Sequence, residues 1–249
     1  MYKTEAIVLR GIDYGETNKI VTLLTRDFGK LSVMAGGAKK PQSRLTAASQ
    51  PFTHGHWILY GGGKGMLRAS QAEVIESFRS IREDLYKTAY TAYVMELTER
   101  FVEEREPSQG LFFLVLNMLH QIAAGKDAEI LIRIFEIKML RVAGIEPDLL
   151  HCTHCRKEIS LAVRFSIRLA GPLCESCHDA DPQAIWMKPA VFKLMRLFQM
   201  IDISRIGTIS VQDEVKRQLA SVIRQYYDEY TGVTLKSRHF LEQMDRYKL

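Results

Sequence analysis

The chain has 249 residues, of which 47% are hydrophobic and 25% charged, with 34 Lys and Arg against 29 Asp and Glu. That composition belongs to a folded protein of one large or two smaller domains and excludes a disordered or fibrous chain. No run of about 18 apolar residues occurs, and the start Met1-Tyr2-Lys3-Thr4-Glu5-Ala6 lacks the pattern of a secretory signal, so a soluble intracellular protein without membrane association is expected.

The first 76 residues read as short strands separated by turn residues. Strands are predicted over Lys3 to Ile12 and Lys19 to Thr25. Asp27-Phe28-Gly29-Lys30 supplies a tight turn into a third strand, Leu31 to Ala35. Gly36-Gly37-Ala38-Lys39-Lys40-Pro41-Gln42-Ser43-Arg44 is too polar and too rich in Gly and Pro for regular structure. Strands near His56 to Tyr60 and Met66 to Ile75 follow, joined by the glycine loop Gly61 to Gly65. Five short strands without a strong amphipathic helix fit a small, partly closed barrel of the OB type.

Near Ser80 the apolar period lengthens. Ser80-Ile81-Arg82-Glu83 matches a capping box, and Ile81, Leu85, Ala89, Ala92, Leu97 and Phe101 form a stripe that predicts a helix to about Glu104. A second helix is predicted over Leu111 to Ala124, ended by Gly125, and a third from the cap Asp127 to Gly144, the three making a bundle. Pro189 to Ile201 and Val211 to Tyr230 read as two more helices, the latter stopped by Gly232.

Between these helices stand Cys152-Thr153-His154-Cys155 and Cys174-Glu175-Ser176-Cys177, two C-x2-C pairs with eighteen residues between them. Each pair forms a knuckle that aims two sulfurs at one point, and a hairpin over Phe165 to Leu173 can bring the points together as the four thiolates that Zn²⁺ takes tetrahedrally. Cys152, Cys155, Cys174 and Cys177 are therefore the expected ligands of one structural zinc per chain. A closed four-sulfur site leaves no position for a reacting water, so the flanking His151, His154 and His178 are not needed as ligands and the ion would hold the fold. The competing readings are a redox dithiol pair and unligated cysteines.

Charge is segregated along the chain. The first 80 residues carry eleven Lys and Arg against six Asp and Glu, and the remainder carries 23 of each, so the whole net charge of +5 lies in the first third. From Phe28 to Ala72 there is no Asp or Glu at all, whereas Lys30, Lys39, Lys40, Arg44, Lys64 and Arg68 fall in that span. Cations without neighbouring carboxylates make a field that no local salt bridge cancels, and its natural partner is a polyanion. Phe28, Phe52, Trp57 and Tyr60 are interleaved with them, as in single-strand binders that pair stacking rings with a cationic groove. Trp57 and Tyr60 have opposite parity on one strand, so at least one of them faces the barrel core.

Catalytic patterns are missing from the sequence. The glycine loop lacks P-loop spacing, no H-E-x-x-H, G-x-S-x-G or dinucleotide fingerprint occurs, and no H-x-E precedes the cysteine pairs as a deaminase requires. His54 and His56, two apart on one strand, have no third ligand nearby and read as surface residues.

The run Gly15-Glu16-Thr17-Asn18-Lys19-Ile20-Val21-Thr22-Leu23-Leu24-Thr25, then Phe28-Gly29-Lys30, then Gly37-Ala38-Lys39-Lys40-Pro41-Gln42-Ser43-Arg44-Leu45, then Gln50-Pro51-Phe52 and Gln71-Ala72-Glu73-Val74 closely resembles the RecO family of bacterial recombinational repair proteins. The resemblance covers the whole chain and implies an α+β multidomain architecture. An N-terminal five-stranded OB-fold barrel (1–79) would be followed by an α-helical bundle (80–150 and 182–249) with an inserted zinc ribbon (151–181). It further implies a non-enzymatic mediator, cytoplasmic and nucleoid-associated in a bacterium, that binds single- and double-stranded DNA and promotes strand annealing. The implied partners are RecR, the single-stranded-DNA-binding protein through its acidic tail, and indirectly the RecA recombinase. The family's basic DNA contacts carry over to Lys39, Lys40 and Arg44, and less directly to Lys30, Lys64 and Arg68.

Two other classes compete with this reading. A zinc-ribbon transcription or translation factor would extend its positive charge through the ribbon, yet residues 150–180 carry no more than five Lys and Arg alongside several acids. A nucleic-acid-processing enzyme would need a carboxylate cluster for Mg²⁺, which the acid-free stretch does not offer.

Overall fold

The structure, a computed structural model, describes residues 1–61, 66–162, 164–207 and 209–247. Two compact units divide the chain, one of residues 1–125 with 235–249, the other of residues 126–234. The division does not follow the change of period at Ser80, because the first helices pack on the strands that precede them.

In the first unit, β1 (Tyr2–Tyr14), β2 (Asn18–Thr25) and β3 (Gly29–Ala35) form an antiparallel meander. A short helix, α1 (Arg44–Ala48), then leads to the hairpin of β4 (His54–Tyr60) and β5 (Leu67–Glu76). The strands close in the order β1-β2-β3-β5-β4, the OB-type barrel expected from the sequence. Alternation places Ala6, Val8, Val21, Leu23, Leu31, Val33, Trp57, Leu59, Leu67 and Ala69 inside. Helix α1 is absent from the sequence expectation; its five residues are too few to show a period, and it starts at a Ser43 side chain that accepts from the Leu45 N–H.

Closure is parallel and short, with Val33 opposite Leu67 and Met34 opposite Arg68. At the other end of β3 the segment after α3 takes the place of β5. Lys30 bridges to Glu104, the Arg105 N–H donates to the Lys30 carbonyl at 3.0 Å, and the Ser32 hydroxyl donates to Glu104 at 3.2 Å. Gly29 permits this approach: it sits at φ 69°, and a Cβ there would lie 2.3 Å from the Glu106 carbonyl oxygen.

Three helices follow: α2 (Arg79–Arg82), α3 (Leu85–Phe101) and α4 (Gln109–Ala123). The predicted capping box at Ser80 is not used. Ser80 lies inside α2, which starts from Phe78 in the left-handed region without a side-chain cap, and the chain breaks before Asp84 caps α3 by accepting from the Lys87 N–H at 3.0 Å. Helix α3 ends at Phe101, short of Glu104, because the next residues leave to cover the barrel seam.

In the second unit, α5 (Ala128–Val142) begins at the predicted cap Asp127 and ends before Gly144 at φ 72°. A three-stranded sheet of β6 (Arg164–Ser166), β7 (Gly171–Leu173) and β8 (Ile185–Trp186) carries the cysteine pairs. Two helices, α6 (Pro189–Met200) and α7 (Asp213–Thr231), pack on α5 and on each other. The Tyr226 and Tyr230 hydroxyls of α7 donate to the carbonyls of Ile145 and Ile167, at 2.9 and 2.6 Å, and Tyr226 meets the buried Phe165 edge-on.

The last helix, α8 (Lys236–Tyr247), returns to the first unit and packs on α3; the sequence reading did not foresee it. Its free N-terminal donors are satisfied from outside the element. The Glu96 carboxylate of α3 accepts from the N–H groups of Lys236 and Ser237, at 3.1 and 2.8 Å, and from the Ser237 hydroxyl. Among the described residues no helix is long and apolar enough to cross a membrane.

Two predictions come from these contacts. Gly29→Ala destabilises the protein by more than about 1 kcal/mol from backbone strain alone, and the clash with Glu106 adds to this; a lowered denaturant midpoint at unchanged slope is the expected readout. Burial opposes ionisation of Glu96, but the hydrogen bonds from Ser237 and Lys236 outweigh it and hold the carboxyl below its ordinary value of 4.5. A depressed folded-state value means that its stabilising effect is complete above the unfolded value and is lost as pH falls through the folded one. The protection of α8 amides relative to their intrinsic exchange rate should therefore fall on acidification below about 4.5, and Glu96→Gln should flatten that dependence.

Candidate nucleic-acid interface and metal centre

The basic segment after β3 is built as successive turns. The Asn18 side chain accepts from the Gly37 N–H, and the Thr17 carbonyl accepts from the Lys39 N–H, both at 2.9 Å, which fastens the segment to the β1–β2 hairpin. Lys40 N–H donates to Gly37, Ser43 N–H donates to Lys40, and the Thr46 hydroxyl donates to the Lys40 carbonyl at 2.8 Å. Lys40 and Arg44 thus project from a hydrogen-bonded turn, and both are exposed.

The six predicted cations are not all brought together. Lys39, Lys40 and Arg44 stand on this one segment, and Arg68 joins their end of the barrel through its pairing with Met34, the next-to-last residue of β3. Lys30 lies four residues back along β3, about 13 Å away at strand rise, and its ammonium donates to the Glu99 carbonyl in the last turn of α3 at 2.7 Å. Lys64 falls outside the described residues.

Lys39 corrects the expectation of an uncompensated field. Its ammonium lies 2.9 Å from Asp13 of β1, and this contact holds the Asp13 carboxyl below the usual carboxylate range. The stretch from Phe28 to Ala72 is free of acids in sequence, but the β1–β2 hairpin carries one to its side. Lys40, Arg44 and Arg68 make no ion pair among the described residues. The hairpin around Gly15, with Tyr14 opposite Asn18, was the signal that could have located Asp13.

Of the four interleaved rings, three belong to the core. Trp57 is 1% exposed, Phe52 is buried at φ 72°, and half-buried Phe28 packs against the barrel interior. Tyr60, 46% exposed, is the ring that faces outward, as its opposite parity to Trp57 required.

The cysteine pairs meet as the spacing predicted. In the first knuckle the Arg156 N–H donates to the Cys152 carbonyl while Arg156 takes φ 64°; in the second the Cys177 N–H donates to the Cys174 carbonyl. Thr153 joins the two, its N–H donating to Pro172 at 2.9 Å and its hydroxyl to Leu169 at 2.6 Å, both on the β6–β7 hairpin that leads into the second pair. The four sulfurs all lie within 4.8 Å of one another, and Cys155 and Cys174 are 3.7 Å apart. A tetrahedron with thiolate–zinc arms of about 2.3 Å has an edge of about 3.8 Å, so the donor set fits one tetrahedral ion, whereas a disulfide would require about 2.05 Å.

The thiols differ in acidity. Burial opposes ionisation of Cys152, yet the N–H groups of Cys155, Cys174 and His154 directed at its sulfur bring it down to about 6. Cys177 is pushed up to about 12 by its contact with Cys174, by burial, and by the other two sulfurs. His151 is held by Asp148 and His178 by the Glu175 carbonyl, so neither is needed in the donor set.

Two family models cover this architecture. "Recombination protein O N terminal" matches residues 1–78 and "Recombination protein O C terminal" matches residues 82–239. The chain belongs to the recombination protein O family. DNA repair protein RecO of Bacillus subtilis (strain 168) is 49% identical over 247 residues, which are 99% of this chain and 96% of that protein. DNA repair protein RecO of Shouchella clausii is 48% identical over 244 residues, 98% and 95% of the two chains, and that of Halalkalibacterium halodurans is 46% identical over 244 residues with the same coverage. The RecO N-terminal match contains the barrel with all six candidate cations, and the C-terminal match contains all four cysteines.

Proposed function

We propose that this protein is a recombinational DNA repair mediator of the bacterial cytoplasm and nucleoid. It binds single- and double-stranded DNA, promotes annealing of complementary strands and, with RecR, helps load the RecA recombinase onto DNA coated by the single-stranded-DNA-binding protein. Family membership supports the role, and the names of its relatives, DNA repair protein RecO, give its class. The observation that carries the DNA contact is the exposed group of Lys40, Arg44 and Arg68 at one end of an OB-type barrel, with Lys39 beside them.

Annealing is opposed by repulsion between two phosphate chains, and fixed cations lower it without any bond being made or broken. No general acid, base or nucleophile is required, and the protein acts as a binding mediator and not as an enzyme. Lys39, Lys40 and Arg44 contact phosphates; Arg68 and Lys64 extend the footprint, and Lys30 acts mainly through the helix it holds.

Replacing Lys39, Lys40 and Arg44 together by Ala should weaken single-strand binding and flatten the plot of log affinity against log salt by about two units, at about 0.7 per lost phosphate contact. An unchanged slope would remove this segment from the DNA site.

The ion at Cys152, Cys155, Cys174 and Cys177 is a single structural zinc that braces the sheet of β6, β7 and β8. It supplies charge for four thiolates and no open coordination position. Metal analysis of reduced protein should give about one zinc per chain, and Cys174→Ser should lower both that content and the thermal midpoint.

A further inference from the structure

Beside the basic segment, β4 and β5 form an antiparallel ribbon with one face in the barrel core and the other open. The inward side carries Trp57, Leu59, Leu67 and Ala69. The outward side of β4 carries His56, Ile58 and Tyr60, with His56 and Tyr60 exposed and Ile58 half-buried. Across the ribbon Tyr60 is opposite Arg68, Ile58 is opposite Gln71, and His56 is opposite Glu73. Helix α1 packs along β5 and brings Arg44 to the edge of this face, where one groove is lined by Arg44, His56, Ile58, Ser70, Gln71 and, at the His56 end, Glu73.

The spacing of the three outward residues is that of an interleaved stack. Alternate residues of a strand stand about 6.6 Å apart, which is about twice the 3.4 Å separation of stacked bases. One base therefore fits between Tyr60 and Ile58 and another between Ile58 and His56, each in contact with a side chain above and below. A duplex cannot open its bases in this way, whereas a single strand can. Charge favours the same occupant: Arg68 stands at the Tyr60 end and Arg44 at the groove edge, neither in an ion pair among the described residues. Glu73, the first acid after the acid-free stretch, lies opposite His56 and marks the end of the cationic run.

We propose that this face of β4 and β5 is a stacking track for single-stranded nucleic acid, with Tyr60 and His56 as ring platforms, Ile58 as the apolar spacer, and Arg68 and Arg44 as phosphate contacts. The proposal rests on the DNA-binding function set out above and extends it from the basic segment to a defined base-binding surface. The Gln71 amide, opposite Ile58, is placed to meet the edge of a base stacked there.

The test is a titration of a fluorescent single-stranded oligonucleotide at several salt concentrations. Tyr60→Ala and His56→Ala should each weaken binding at least about fivefold while leaving the salt slope unchanged, because the slope counts phosphates and not bases. Tyr60→Phe should bind as the wild type does. An oligonucleotide with abasic sites should bind the wild type as weakly as Tyr60→Ala binds the intact strand, a comparison that does not depend on any variant folding. If the wild type binds the intact strand and Tyr60→Ala and His56→Ala match it, or if abasic and intact strands bind the wild type alike, the track is refuted and the basic segment remains. If the wild type binds no single strand at all, the DNA-binding function falls with it.

Discussion

The barrel is closed by very little of its own sheet. Among the described residues β3 and β5 share two residue pairs, and below them the wall is completed by the segment that connects α3 to α4. That arrangement requires a residue without a side chain at Gly29, since Glu106 occupies the space a Cβ would need. It also joins the barrel and its following helices into one unit: the Lys30 ammonium terminates α3, the Lys30 carbonyl receives Arg105, and Glu96 of the same α3 starts α8. The basic segment at the other end of β3 has its own fastening, the hydrogen bonds of Gly37 and Lys39 to Asn18 and Thr17 of the β1–β2 hairpin.

Two different uses of positive charge coexist within one acid-free stretch. Lys30 satisfies a helix carbonyl and Lys39 faces a carboxylate, while Lys40, Arg44 and Arg68 stand in solvent. A sequence window counts these five alike, because it records which residues are near along the chain and not which are near in space. Among the described residues the three without an ion pair are Lys40 on the turn after β3, Arg44 at the first residue of α1, and Arg68 at an outward position of β5.

Much of the fold was legible from period and punctuation. The strands, the helix starts at the cap Asp127 and at Pro189, the stops at Gly125, Gly144 and Gly232, and the convergence of four cysteines all depend on local chemistry or fixed spacing. The failures share a cause. Ser80 and Glu83 satisfy a local capping rule, yet Asp84 caps the long helix, and α8 relies on an acid 140 residues earlier for its first turn. Of the four candidate stacking rings, Trp57 fills the barrel, Phe28 packs against its core and Phe52 is buried outside it; strand parity alone separated Tyr60 from Trp57.

The Asp13–Lys39 pair gives the basic segment a resident competitor. A phosphate that reaches Lys39 has to displace a carboxylate that is tethered nearby and returns as soon as the phosphate leaves. Under the proposed function, that position contributes less to holding a strand than its charge implies, and it hastens departure. A protein that passes its strand to another binder benefits from such a built-in exchange partner: it limits residence time at Lys39 and leaves the long-range attraction to Lys40, Arg44 and Arg68.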